Sequence, residues 1–279
     1  MTVGRRGWLV LLGLLGLAAG CTSSGGTPQA TGRLLDRVLA GDQRSAANRA
    51  LDDARHPKET LLFFGIDPRM RVAEVWPGTG WYTEVIAPLL TAPGVYYAAL
   101  PPPDSSSRYM SGQRAAFIAK LASRPDLYAR VQLTTLGPGG GEIAPPGSLD
   151  LVVSFLTLHD FLAQGWAPQA LAAMYRALKP HGILGIVDHR GNAQEPQDPQ
   201  ARSGYVNPDY AVRLIEASGF ELLERSEINA NPRDRKDYEQ GVWTLPPTFR
   251  LGAKDHEQYA AIGESDRFTL KFQKAAERK

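Results

Sequence analysis

His159 and Asp160 stand side by side in LHDF, and Asp188 and His189 mirror them in VDHR. A histidine held by a carboxylate keeps one tautomer and gains basicity. That suits it to take a proton from an oxygen or nitrogen nucleophile. The same four groups could ligate a divalent metal, but no supporting ligand spacing accompanies them. Cys21 is the only cysteine and there is no His-x-x-x-His, so no metal is assigned. Local hydrogen bonding at strand ends would explain any one of the four, and explains the set less well.

A second stretch with chemical content is VAEVWPGTGWYTEV at 72 to 85, an apolar strand that runs through two close glycines into a helix. Gly78 and Gly80 have no Cβ, so the backbone can turn sharply and present main-chain N–H groups to a ligand. Glu74 at the strand end is placed to accept from a ligand amino group or from loop amides. Tyr82 opens the helix and is weighed equally as a ligand contact and as packing.

Positioning these groups requires the alternation of strands and helices that a parallel sheet covered on both faces produces. Strands are expected at 71–76, 95–100, 131–136, 149–155, 183–188, 221–228 and 267–272. Helices fit at 33–54, 58–64, 82–90, 111–122, 167–178 and 208–218. The last two strands follow one another without a helical pattern between them. His159 and Asp160 then follow the fourth strand and Asp188 and His189 end the fifth, at the carboxyl edge of the sheet where ligands bind.

With SLDLVVSFLTLHDF at 148 to 161 and ALKPHGILGIVDH at 177 to 189 in the same order and spacing, the chain resembles class I S-adenosylmethionine-dependent methyltransferases. Within them it looks closest to a subgroup of unassigned substrate. The resemblance runs from about residue 51 to the end. It implies an α/β, Rossmann-like fold, a seven-stranded mostly parallel sheet with one antiparallel strand and helices on both faces. It also implies S-adenosylmethionine as cofactor, held by Glu74, Gly78, Thr79, Gly80 and Tyr82, with His159, Asp160, Asp188 and His189 as catalytic candidates beside it. In the related subgroup a loop like NPRDRKDY, 231 to 238, follows the sixth strand, which adds Asn231 and Asp234 as weaker candidates.

Two features depart from that pattern. Trp76 replaces the first loop glycine and Pro77 stiffens the place beside it. The second strand ends in AALPPPD, so Leu100 stands where the family commonly has a carboxylate for the ribose hydroxyls, and Asp104 is the nearest acid. A nicotinamide dehydrogenase fits worse, because its fingerprint wants a glycine where Thr83 stands and an acid where Leu100 stands.

At the other end, Arg5 and Arg6 precede an uncharged apolar run and LAAGC at 17 to 21, the layout of a signal peptide. LAAGC resembles a bacterial lipobox, which implies acylation of Cys21 and a stable hold on the lipid bilayer. Residues 1–20 are then the signal, 21–32 a polar tether and 33–279 the methyltransferase-like domain. A periplasm-facing protein follows, with the outer membrane favoured because Thr22 follows the cysteine. The chain has 31 basic and 29 acidic residues, so losing Arg5 and Arg6 balances them and leaves no electrostatic case for nucleic acid. The expected partners are a small-molecule or envelope substrate and the bilayer. The rival to an enzyme is a periplasmic ligand-binding or envelope-interaction module on the same fold, since fold does not fix function.

Overall fold

The computed structural model describes residues 1–2 and 27–275. Residues 3–20 of the signal, Cys21 and the tether up to residue 26 lie outside the described residues. Thr27 caps a helix, its hydroxyl accepting from Ala30 N at 3.3 Å, and Pro28 fits the first helical position where no N–H is needed. The folded domain therefore starts earlier than residue 33.

The expected single helix over 33–54 is three pieces: α1 (Pro28–Leu39), α2 (Ala46–Arg49) and α3 (Asp52–Arg55). Ser45 causes the break, because its side chain accepts from Asn48 N at 3.0 Å and so starts a new helix. Helix α4 (Pro57–Phe64) follows and leads into strand β1 (Arg71–Val75). Then come α5 (Thr83–Leu89), β2 (Val95–Leu100), α6 (Arg108–Ser123), α7 (Pro125–Tyr128), β3 (Gln132–Thr135) and β4 (Leu149–Phe155). Helices α8 (Leu158–Ala163) and α9 (Ala167–Ala177) lead to β5 (Leu178–His189), and α10 (Pro208–Glu216) to β6 (Phe220–Ser226). A 3-10 turn (Gly241–Thr244) and α11 (His256–Ile262) precede β7 (Arg267–Lys274).

The seven strands form one sheet in the order β3-β2-β1-β4-β5-β7-β6. Strands β1 to β5 pair in parallel, and β7 runs antiparallel to both β5 and β6. The connection between β6 and β7 is not bare, as the sequence suggested, but carries the turn and α11. Its charged residues hide the short apolar anchors Val242 and Leu245 that bury it.

Central strands read as continuous apolar runs because both faces are covered. One face packs Leu149 and Val152 of β4 against Phe161, Leu171 and Met174 of α8 and α9. The other packs Val72, Leu151 and Val153 against Leu35, Leu61, Phe64 and Ile86 of α1, α4 and α5. The N-terminal pieces are also tied to the loop after β1: Trp81 Nε1 donates to Asn48 O at 3.0 Å, and buried Arg44 pairs with Asp52 at 2.6 Å. This brings Arg55 over the carboxyl edge of the sheet, 4.8 Å above the Trp81 ring.

Candidate active site

Strand β1 ends at Val75, and Trp76 turns the chain with a φ of 49°, the left-handed region that a β-carbon disfavours. Packing holds it there. The Trp76 ring lies 4.9 Å from Phe161 and 5.4 Å from Trp166, and its Nε1 donates to Leu136 O at 2.9 Å. Trp76, Pro77 and Gly78 then form one wall of a cleft with a cavity volume of about 170 Å³.

Glu74 lines this cleft and is buried. Its Oε2 accepts from Thr83 and Tyr96 hydroxyls, which leaves Oε1 without a partner among the described residues. Burial raises the Glu74 pKa to about 7, against the hydrogen bonds from Tyr96 and Thr83 and the Lys120 charge. Tyr82 also lines the cleft, its ring stacked on Phe155 at 3.6 Å. Thr79 and Gly80 do not line it. Thr79 is exposed, and a Cβ on Gly80 would meet Lys120 and Phe117 of α6 at 3.0 and 3.2 Å, so that glycine serves helix packing. Asp104 is exposed and also lies away from the cleft.

Three polar side-chain atoms in the cleft residues are buried without a hydrogen-bond partner: Asn229 Oδ1, Gln113 Oε1 and Arg267 Nε. Buried polar groups are ordinarily satisfied, so a cluster of orphans in a cleft marks where a ligand completes the bonding. Arg267 is held by Glu264 at 2.6 Å, and Glu264 also takes Arg55 Nη2 at 2.6 Å. Burial would raise the Glu264 pKa, but the charges of Arg267 and Arg55 and their hydrogen bonds bring it down to about 2. Glu264 is thus a permanent anion that positions two arginines.

A second cleft adjoins the first and shares Arg55, Tyr109, Leu156, Asp160 and Arg267 with it. His159 and His189 line it, beneath Trp243, Pro246 and Pro247 from the β6–β7 connection. The four sequence candidates do converge here. His159 and Asp160 sit in the first turn of α8 and not on a strand end, because the chain turns at Leu156 with a φ of 55° and begins helix directly.

Asp188 at the end of β5 is fully buried and saturated. Its Oδ2 accepts from His159 N at 3.0 Å, and its Oδ1 from His159 Nδ1 at 2.8 Å and His189 N at 2.7 Å. This fixes the His159 proton on Nδ1 and leaves Nε2, which lies 3.8 Å from Asp160 Oδ1. His189 Nδ1 meets Ser265 Oγ at 2.6 Å, and the two imidazole centroids are 5.0 Å apart.

Burial opposes a charge on His159, but the Asp188 carboxylate and its hydrogen bond outweigh burial, and the pKa rises to about 9. For His189 burial and the neighbouring His159 charge act together and lower it to about 3. Asp160 is raised, mainly by burial, and also by Asp188. At neutral pH the pair therefore carries one positive charge, on His159, whose Nε2 is free to take a proton only in the neutral form that grows as pH rises toward 9. Among the described residues, His159, Asp188 and His189 offer possible metal-ligand atoms within 4.8 Å of one another. Asp188 already accepts three hydrogen bonds, one of them from His159 Nδ1, and together the two make an acid–base arrangement.

Asn231 and Asp234 are structural. Asn231 Nδ2 donates to Ile262 O and Glu264 O at 2.9 and 2.6 Å, and Asp234 accepts from Tyr205 and from Asp266 N at 3.0 and 2.8 Å. They lock the connection that carries Glu264, Ser265 and Arg267 into place. Arg55, Asn229, Gln113 and Arg267 escaped sequence reasoning. Arg55 and Glu264 are 209 residues apart, and no local pattern announces such a pair.

No family model matches this chain and no curated protein is similar to it. Solved structures are. An S-adenosylmethionine-dependent methyltransferase from Aquifex aeolicus matches with a TM-score of 0.54 at 15% identity, over 89% of this chain and 98% of its own. The 4+2 cyclase SpnF matches with a TM-score of 0.59 at 17% identity, over 90% of this chain and 98% of its own. A phosphoethanolamine N-methyltransferase from Haemonchus contortus, in complex with S-adenosyl-L-methionine, matches with a TM-score of 0.52 at 17% identity, over 88% of this chain and 60% of its own. The chain has the Rossmann-like fold of these methyltransferase structures.

Proposed function

We propose that this protein is an S-adenosylmethionine-dependent methyltransferase, tethered to a bacterial membrane through acylated Cys21 and facing the periplasm. The junction between the two clefts carries this conclusion. One cleft has the residues to hold the cofactor, the other opens onto a carboxylate-held histidine, and Asp160 and Arg267 border both.

The cofactor fits the first cleft chemically. Its zwitterionic amino-acid end needs donors and acceptors together, and Arg267 Nε and Asn229 Oδ1 are one of each, buried and unpaired. Arg55 and Glu74 add a cation and an acceptor. When bound, the cofactor supplies an electrophilic methyl group on a positively charged sulfur. His159 takes the proton of an oxygen or nitrogen acceptor at Nε2, and Asp188 stabilises the imidazolium that results. His189, neutral and hydrogen-bonded to Ser265, shapes the acceptor side, which Trp243, Pro246 and Pro247 also line.

The test is transfer of a labelled methyl group from S-adenosylmethionine to a component of solubilised cell envelope by the purified full chain, with His159→Ala as control. Label that moves with the wild type and not with the variant supports the proposal. Binding without transfer favours the rival ligand-binding module, which the fold also allows, since one similar structure is a cyclase.

The anchor is tested separately. No helix among the described residues is long and apolar enough to cross a membrane. Because acylation needs the thiol of Cys21, Cys21→Ser is expected to release the protein from the membrane fraction, and a variant that stays bound after a carbonate wash would remove the lipid-anchor proposal.

A further inference from the structure

We infer that Gln113 of α6 is the residue that holds the ribose hydroxyls of the bound cofactor. The inference rests on the S-adenosylmethionine reading of the first cleft and adds a specificity residue to it. Tyr109, Met110 and Gln113 lie at positions of α6 that share one helical face, and all three line the cleft beside Pro101, across from the loop after β1.

The strand next to this wall ends in apolar Leu100, which is buried, so no side chain there can accept a hydrogen bond. Gln113 Oε1 is buried and has no partner among the described residues. The Gln113 amide is therefore available to serve a ligand. Gly78 lies against it: a Cβ there would stand 3.8 Å from Gln113 Oε1, in ordinary contact. A primary amide offers an acceptor and a donor side by side. Oε1 accepts from one hydroxyl of a cis-diol while Nε2 donates to its neighbour, which a deoxyribose cannot reciprocate.

The experiment is calorimetric titration of S-adenosylhomocysteine, and of its 2′-deoxy and 3′-deoxy analogues, into the full chain as wild type, Gln113→Leu and Gln113→Glu. The wild type is expected to bind the ribose ligand about tenfold more tightly than at least one deoxy analogue, the size of one hydrogen bond. Gln113→Leu should lose about that factor for the ribose ligand and no longer distinguish the analogues. Gln113→Glu keeps acceptors for the hydroxyls and should retain the discrimination. A wild type that binds while Gln113→Leu binds as tightly, or still discriminates, overturns the inference and leaves the cofactor reading standing. A wild type that binds none of the ligands removes both.

Discussion

Replacing His159 by alanine is expected to lower turnover by about 10²- to 10⁴-fold, the contribution of one positioned base, while affinity for S-adenosylhomocysteine stays within a few-fold. The asymmetry follows from position. His159 lines the second cleft and not the first, so it touches the acceptor's side of the junction. The wild-type pH profile follows from its environment. Asp188 raises the His159 pKa from 6.5 to about 9. The base form is then scarce at neutral pH, so turnover should climb with pH and level off above about 9. Asp188→Asn removes the charge that raises it, and the ascending limb should move down toward the ordinary histidine range. A limb unmoved by Asp188→Asn, or loss of cofactor affinity in His159→Ala, would make His159 a wall of the pocket and not its base.

Gly80→Val is expected to destabilise the fold before it touches ligand binding. Gly80 has a φ of 84°, which costs a branched residue about 1 to 2 kcal/mol. Its Cβ would lie 3.0 Å from Lys120 Cδ and 3.2 Å from Phe117. Phe117 is fully buried, so α6 must shift, at roughly 1 to 3 kcal/mol. The sum, about 2 to 5 kcal/mol, corresponds to a drop in Tm of roughly 4 to 20 °C for a domain of this size. Gly78→Ala makes the contrast: it shares the left-handed strain with a φ of 60°, but its Cβ meets nothing closer than Gln113 at 3.8 Å, so it should cost the fold less than Gly80→Val. A Gly80→Val protein with wild-type Tm would contradict this assignment of the two glycines.

The sheet was legible because its strands are buried on both faces and read as apolar runs; β2 and β4 have the bounds that the sequence suggests. The convergence of His159, Asp160, Asp188 and His189 was legible as well, since it needed only that β4 and β5 be neighbours, which they are; which carboxylate holds His159 was not. What the sequence hid has two physical causes. Short helices such as α8 have too few residues to show a period, so LHDF looked like a strand end. Long-range ion pairs leave no local trace, so nothing marked Arg55, Glu264 and Arg267, and Asn231 and Asp234 stood out in their place as site candidates. Gly78 and Gly80 look alike in sequence, and only the position of α6 separates a glycine that faces the cleft from one that faces a helix.

Binding of S-adenosylmethionine in the first cleft is read out by thermal unfolding of the full chain with and without it. At a hundredfold excess over its dissociation constant a ligand adds about 2.7 kcal/mol to stability. At about 2 to 4 °C per kcal/mol the Tm should rise by roughly 5 to 11 °C. A Tm that does not move at millimolar S-adenosylmethionine would contradict that binding.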